Sequence, residues 1–334
     1  MEYLDYENKL NTQLLEEINS LRNRNTKCRF LLVGAKGFIG SNFLDYFFPM
    51  LIECNLNLDL FIITRNSYFQ AVFNGSNFEW KLIKEIPLGI THIFHLAVSS
   101  TPKSSNEFEK IELESYFNTR KKIDEICFVD KPYLIYLSSG SVFGRDSSNK
   151  NSNDYKINCI ENLFKDDAYT YLKKLDESHF YLNSKFIGYP LVLINLYNVL
   201  LPNQLMRPHF AISQFIEAAV NSNEIMVKSP RTLRSYIGLK EIMLAFLLAS
   251  NSKNDFLRFS LGSPLPISMI DLANCISNFF GDSNVSQVNI NESSEFSIYY
   301  PKKYEIHSNF MSLSEISPIS YISGLLKSLK IKKS

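Results

Sequence analysis

Three glycines punctuate the run Val33-Gly34-Ala35-Lys36-Gly37-Phe38-Ile39-Gly40, which follows a short apolar stretch and precedes a helical pattern. Glycine at such places lets the chain turn tightly, lets backbone amides at a helix N-terminus approach a pyrophosphate, and lets the helix lie close against the strand. The chemistry this permits is dinucleotide binding. The next apolar run ends in Ile63-Thr64-Arg65-Asn66, where an acid would usually meet the adenosine ribose. Arg65 stands there instead, and a guanidinium pairs with a 2′-phosphate, so NADP(H) is favoured and NAD(H) is the alternative. An exposed loop arginine with no ligand is the plainer reading of the same residue.

A tyrosine and a lysine four apart share a helix face, and an ammonium beside a phenol favours the phenolate, a usable acid/base near neutrality. Spacing alone decides nothing here, because the chain has 18 tyrosines and four such matches: Tyr169/Lys173, Tyr181/Lys185, Tyr236/Lys240 and Tyr299/Lys303. Pro301 interrupts the last, Gly238 weakens the third, and the second lies at the end of its helix before Gly188 and Pro190. Tyr169 and Lys173 open the same helix and remain. Upstream, Leu137-Ser138-Ser139-Gly140-Ser141-Val142-Phe143-Gly144 leaves the end of an apolar run. A hydroxyl at the carboxyl edge of a parallel sheet can hydrogen-bond a reacting carbonyl or alcohol, although a serine-rich turn is also an ordinary loop.

These residues need a scaffold, and the hydrophobic pattern supplies one. Short apolar runs at Arg29 to Val33, Leu58 to Ile63, His92 to Leu96, Tyr133 to Leu137 and Leu191 to Tyr197 alternate with helical segments at Glu107 to Cys127 and Ala168 to Asn183. Strands alternating with helices predict an α/β fold, a doubly wound parallel sheet covered on both faces. Leu10, Leu14, Ile18 and Leu21 recur at helical spacing and predict an N-terminal helical extension over 1–26. A dinucleotide-binding domain is expected over 27–200, with 234–263 returning to it, and a smaller, mostly substrate-binding domain over 201–334. Helical stretches are expected there at Phe210 to Val220, Lys240 to Ala249 and Ile267 to Phe280.

Composition closes several other routes. In 334 residues, 35 Lys+Arg balance 34 Asp+Glu, so no concentrated basic face argues for nucleic acid. The five cysteines are dispersed without a CxxC pair, which suggests neither a zinc site nor a disulfide framework and fits a reducing, cytoplasmic location. No signal peptide is expected in the charged first 25 residues. Phe186 to Arg207 carries one charge-poor run, but its prolines, asparagines and glutamine suit a buried strand and loop better than a membrane span.

Taken together, Gly34 to Gly40, His95-Leu96-Ala97, Ser138 to Gly144, Tyr169/Lys173 with Glu177, Asn198-Val199 and Arg234-Ser235-Tyr236-Ile237 follow the order of extended short-chain dehydrogenases/reductases. From about Lys27 to Ser263 the chain resembles the NAD(P)-dependent epimerase/dehydratase group, whose members modify nucleotide-sugars. The resemblance implies that Ser139, Tyr169 and Lys173 are catalytic, with Tyr169 as acid/base and Lys173 also holding the nicotinamide ribose. It implies that Phe38, Ile39, Leu96 and Ala97 line the cofactor with Gly34, Gly37 and Gly40. Ser139, Ser141, Asn198 and Arg234 would meet a nucleotide-sugar substrate, no metal is implied, and the protein would be a homodimer. Asn118 is expected to be structural.

The sequence also departs from that pattern. Asn195 stands where the family commonly has Arg, Leu200-Leu201 replace the usual aromatic-Gly pair, and no acid stands after Phe78 to Ile83 in the place that usually meets adenine. Ser139-Gly140-Ser141 lacks the Asp-Glu pair of sugar 4,6-dehydratases, which leaves no acid and base for removing water. The expected activity is NADP(H)-dependent reduction of a 4-keto-deoxysugar. The alternatives are nucleotide-sugar 4-epimerisation and, from a different class, a non-catalytic NAD(P)-binding sensor or scaffold.

Overall fold

The structure, a computed structural model, describes residues 2–24, 26–64, 67–74, 77–97, 106–143, 168–281, 283–287, 297–301 and 316–329. Arg65 and Gly144, two positions of interest in the sequence, lie outside the described residues.

The chain begins with helix α1 (Tyr3–Asn23). The first half of the central sheet is β1 (Cys28–Val33), β2 (Leu58–Ile63), β3 (Tyr68–Asn74), β4 (Asn77–Ile83) and β5 (His92–His95). Between β1 and β2 run α2 (Phe38–Asn42), a π-helical turn (Phe43–Phe47) and α3 (Phe48–Glu53). Pro49 has no N–H to donate to the turn before it, and the widened turn absorbs that loss without breaking the helix. After β5 come α4 (Asn106–Asp130), β6 (Tyr133–Ser139), α5 (Ala168–Asn183), β7 (Leu191–Leu196) and the short β8 (Asn198–Val199).

The remainder comprises α6 (Ala211–Val220), β9 (Ile225–Val227), β10 (Leu233–Arg234), β11 (Tyr236–Ile237), α7 (Leu239–Asn251) and β12 (Phe256–Leu261). It ends with β13 (Ile267–Ser268), α8 (Met269–Phe280), β14 (Val285–Gln287), β15 (Ile298–Tyr299) and α9 (Pro318–Lys327). The helix expected from Ile267 therefore starts two residues later. Ser268 ends β13 and caps α8, its hydroxyl accepting from the Asp271 N–H.

Among the described residues the main sheet has eight strands in the order β12-β7-β6-β5-β1-β2-β3-β4. Six of them are parallel, as the alternation of strands and helices predicts; β3 and β4 form an antiparallel hairpin on the β2 edge. The doubly wound parallel sheet expected from the sequence is there, and the hairpin extends it at one edge. Apart from buried Ala71, its side chains whose burial is described are half-buried or exposed, so it lacks the continuous apolar run of a central strand. The strand at Phe256–Leu261 carries a weak apolar signal in the sequence, because half of it is only partly buried and Arg258 interrupts it.

The sheet divides the core by strand alternation. Phe30 and Leu32 face a cluster with Phe43, Phe47, Phe48, Phe94 and Phe246, whereas Leu31 and Val33 face Ile123, Cys127, Tyr136 and Phe180. The stripe Leu10, Leu14, Ile18 and Leu21 of α1 is buried in the first cluster against α7. Each such side chain contributes at most about 1.5–3 kcal/mol on burial. Polar ties add to it: Tyr6 and Tyr321 both donate to the buried Glu241 carboxylate, at 2.9 and 2.6 Å.

Candidate active site

Register fixes the site. Val33 lies beside Ile63 and His95, and His95 beside Tyr136, so the glycine loop and the segment after β5 leave the sheet at its carboxyl edge, with Ser139 near them on the next strand. In an open parallel sheet that edge is where ligands bind.

The glycine loop has the shape its spacing implies. Gly34 adopts φ +91°, and a Cβ on it would lie 2.8 Å from the Ala97 nitrogen. Gly37 donates its N–H to the Gly34 carbonyl at 2.9 Å, and a Cβ on Gly40 would lie 2.1 Å from that carbonyl oxygen. Side chains are therefore excluded at Gly34 and Gly40, and backbone is what a ligand meets, the fit a dinucleotide pyrophosphate requires. Leu96 continues the β5 pairing by donating to the Val33 carbonyl at 2.9 Å, which sets Leu96 and Ala97 along this loop. Phe38 is buried and Ile39 half-buried. The Arg207 guanidinium lies 5.4 Å over the Phe38 ring and interacts electrostatically with Tyr169, a cation facing the loop that sequence spacing did not single out.

Tyr169 and Lys173 lie on the face of α5 that meets β6. Lys173 is buried; its Nζ donates to the Leu137 carbonyl and sits 4.6 Å from the Tyr136 ring centre and 5.9 Å from that of Tyr169. Burial pulls its pKa down to about 8, and the Asp176 and Glu177 carboxylates oppose that shift. Ser141 donates its N–H to the Ser139 Oγ at 3.2 Å, and Thr170 donates to the Ser141 Oγ at 3.0 Å. The serine turn is thus pinned to the first turn of α5, which brings Ser139, Ser141, Tyr169 and Lys173 to one place.

The other substrate candidates are engaged within the protein. Asn198 donates to the Ser235 carbonyl at 3.2 Å, across the β8–β11 pair. Arg234 donates to the Leu233 and Ser297 carbonyls and to the Ser297 Oγ, its guanidinium 5.9 Å over the Tyr299 ring. Asn118 is exposed on α4, while Tyr116 and Arg120 from the same helix reach inward to Asp176.

Two further side chains, Tyr299 and Arg258, adjoin these residues. Tyr299, set aside on sequence because Pro301 breaks its lysine match, stands 3.4 Å from the Ser139 Oγ and packs on Tyr197 at 4.9 Å. It arrives through β15, paired in parallel with β10, and not through a Tyr/Lys helix. The guanidinium missing at Asn195 comes from Arg258 on the adjacent strand, whose Nε donates to the Asn195 Oδ1 at 3.0 Å and whose Nη2 pairs with Glu177 at 2.8 Å. Asn195 in turn donates to Glu177 at 2.6 Å and to the Ser139 carbonyl at 3.3 Å, holding the strand end. Leu200 and Leu201 are fully buried core, so their departure from the aromatic-Gly pattern falls on packing. The lysines of two other Tyr/Lys matches are engaged differently: Lys185 covers an exposed Tyr181, and Lys240 bridges Glu7 at 2.7 Å. No metal-ligand cluster occurs among the described residues.

The model of the NAD dependent epimerase/dehydratase family matches residues 30–260. The chain belongs to this family. It is an NAD-dependent enzyme fold of the extended short-chain dehydrogenase/reductase type, as the order of motifs implied. A UDP-N-acetylglucosamine 4-epimerase from Methanobrevibacter ruminantium M1, solved with UDP-N-acetylmuramic acid, superposes with TM-score 0.68 at 20% identity over 91% of this chain and 98% of that one. The epimerase Mth375 from Methanothermobacter thermautotrophicus gives TM-score 0.67 at 16% identity over 95% and 94%. A UDP-glucuronic acid 4-epimerase from Bacillus cereus, with UDP-glucuronic acid and NAD, gives 0.63 at 17% over 89% and 96%. Among curated protein sequences none matches this chain. No helix among the described residues is long and apolar enough to cross a membrane.

Proposed function

We propose that this protein oxidises and re-reduces a hydroxyl-bearing carbon of a nucleotide-activated sugar, acting as a nucleotide-sugar 4-epimerase. The observation that carries this reading is the convergence of Tyr169, buried Lys173 and Ser139 beside the glycine cradle. A bound nicotinamide dinucleotide would supply hydride acceptance and return. The backbone of Gly34 to Gly40 would hold its pyrophosphate, with Leu96 and Ala97 alongside. Tyr169 takes the proton from the sugar hydroxyl as its carbon is oxidised and gives it back on reduction; the Lys173 ammonium favours the phenolate form, and Ser139 hydrogen-bonds the same oxygen. The C-terminal part, bearing Ser297, Arg234 and Tyr299, would close over the sugar and diphosphate.

The structural neighbours that are nucleotide-sugar 4-epimerases weigh for epimerisation over net reduction of a 4-keto-deoxysugar. A dehydratase is disfavoured by the hydroxyls and glycine at Ser139-Gly140-Ser141. The choice between NADP(H) and NAD(H) rests on Arg65. Arg65→Ala is expected to weaken NADP(H) by about 1.5–3 kcal/mol and NAD(H) little; equal weakening of both removes the assignment.

The decisive experiment incubates the purified protein with UDP-activated hexoses and N-acetylhexosamines. C4 epimers appearing without net change in nicotinamide absorbance support the proposal. Stoichiometric consumption of NADPH by 4-keto-sugars would make it a reductase, and binding of cofactor with no turnover of any of these sugars would overturn it.

A further inference from the structure

A second charge lies behind Tyr169, one turn beyond Lys173. Asp176 is fully buried; its carboxylate accepts from the Tyr136 hydroxyl at 2.8 Å and from the Tyr116 hydroxyl. Tyr136 also supplies the ring under the Lys173 ammonium, so one side chain touches the lysine with its face and the aspartate with its hydroxyl.

The neighbouring charges are otherwise committed. Glu177 is neutralised by Arg258 at 2.8 Å. His95, with its ring 5.0 Å from that of Tyr136, is held neutral by burial, its pKa lowered to about 3. Arg120, which donates to the Tyr116 hydroxyl, stands 3.8 Å from Asp176, a long contact at the solvent side of the cluster. Arg207 and Tyr299 act on Tyr169 directly. Asp176 is therefore the carboxylate with the weakest cationic partner of its own, in the same dry layer as an ammonium that needs a counter-charge to stay protonated.

We propose that Asp176, held by Tyr116 and Tyr136, is a positioning residue that keeps Lys173 charged and in place, and through it sets the pH at which Tyr169 becomes a phenolate. This rests on the reading of Tyr169 and Lys173 as the proton-handling pair. It carries a sign that a direct effect does not. Removing a negative charge near Tyr169 by itself makes the phenolate easier to form and lowers its midpoint. Acting through Lys173, the same removal discharges the ammonium and raises the midpoint.

The test is an ultraviolet titration of tyrosinate, taken as each protein minus the same protein carrying Tyr169→Phe, which reports Tyr169 with no substrate present. Asp176→Asn is expected to raise the Tyr169 midpoint by about one pH unit, a tenfold loss of phenolate below it. Asp176→Glu, which keeps the charge, should restore most of that. In a Lys173→Met background Asp176→Asn should produce no rise. An unchanged or lowered midpoint in a folded Asp176→Asn protein overturns the proposal. Should that variant not fold, Asp176→Ser, which leaves room for a water between the phenols, carries the same expectation. A parent inactive on every nucleotide-sugar would sink the functional reading and leave this titration standing. A Tyr169 midpoint unmoved by Lys173→Met would sink the pair and this proposal together.

Discussion

Tyr169 and Lys173 are separated by one helical turn, yet their environments differ: the phenol is half-buried and the ammonium sits against Tyr136 and a strand carbonyl. Tyr169→Phe removes one hydroxyl and leaves the ring, so folding and NAD(P)H binding, measured by nucleotide fluorescence, should survive. On the true substrate kcat should fall by about 10² to 10⁴-fold, the usual share of a positioned proton carrier. Tyr181→Phe and Tyr236→Phe are the controls, expected to stay within about threefold. Tyr299→Phe separates a substrate contact from packing: the Tyr197 stack persists and only the hydroxyl facing Ser139 goes. We expect KM to rise by about tenfold, the value of one hydrogen bond, with melting temperature unchanged. Parental KM would make Tyr299 a packing residue.

At the scale of elements, β6, β7 and β12 work as a unit. Ser138 lies beside Asn195, and Asn195 beside Ser260, while Arg258 reaches back along β12 to Glu177 on α5. Arg258→Leu leaves the Glu177 carboxylate, 3% exposed, without its cation. The expected loss is about 3–5 kcal/mol, read from urea unfolding; adding Glu177→Leu should recover much of it, because the cost lies in the unpaired charge. If Arg258→Leu alone costs less than about 1 kcal/mol, the pair is not the brace described here.

His95 on β5 gives this element a pH signature. Burial lowers its pKa to about 3, below the unfolded value near 6.5. A histidine that protonates more easily when unfolded leaves stability intact above about pH 6.5, and stability is lost as pH falls from there toward the folded pKa. His95→Phe keeps a ring against Tyr136 and Phe180 and removes the titration. Between about pH 6 and 4 the parent should lose about 1.4 kcal/mol per pH unit relative to the variant. Parallel unfolding curves would refute the assignment.

For the whole molecule, we propose a two-fold dimer through α4 and α5. Leu113, Phe117 and Phe128 on α4 and Tyr171 and Leu182 on α5 are exposed, more apolar surface than helices lying on a sheet need to show water. A C2 patch meets its own copy, so Phe117→Glu would place a charge against its image. Light scattering should report a dimer for the parent at micromolar concentration and a monomer for Phe117→Glu. A monomeric parent removes the idea.

What the sequence determined by itself was local. The glycine cradle and the parallel strands were legible because glycine freedom and apolar periodicity act over a few residues; the choice of Tyr169/Lys173 among four matches used rules of the same short range and belongs to the proposed function. Tertiary structure decided the rest. Arg258 stands in beside Asn195 from 63 residues away, Asp176 receives Tyr116 across 60, and Tyr299 reaches Ser139 across 160. No spacing rule spans such distances, because strand register and crossover packing set them, and those follow from how the whole hydrophobic core closes.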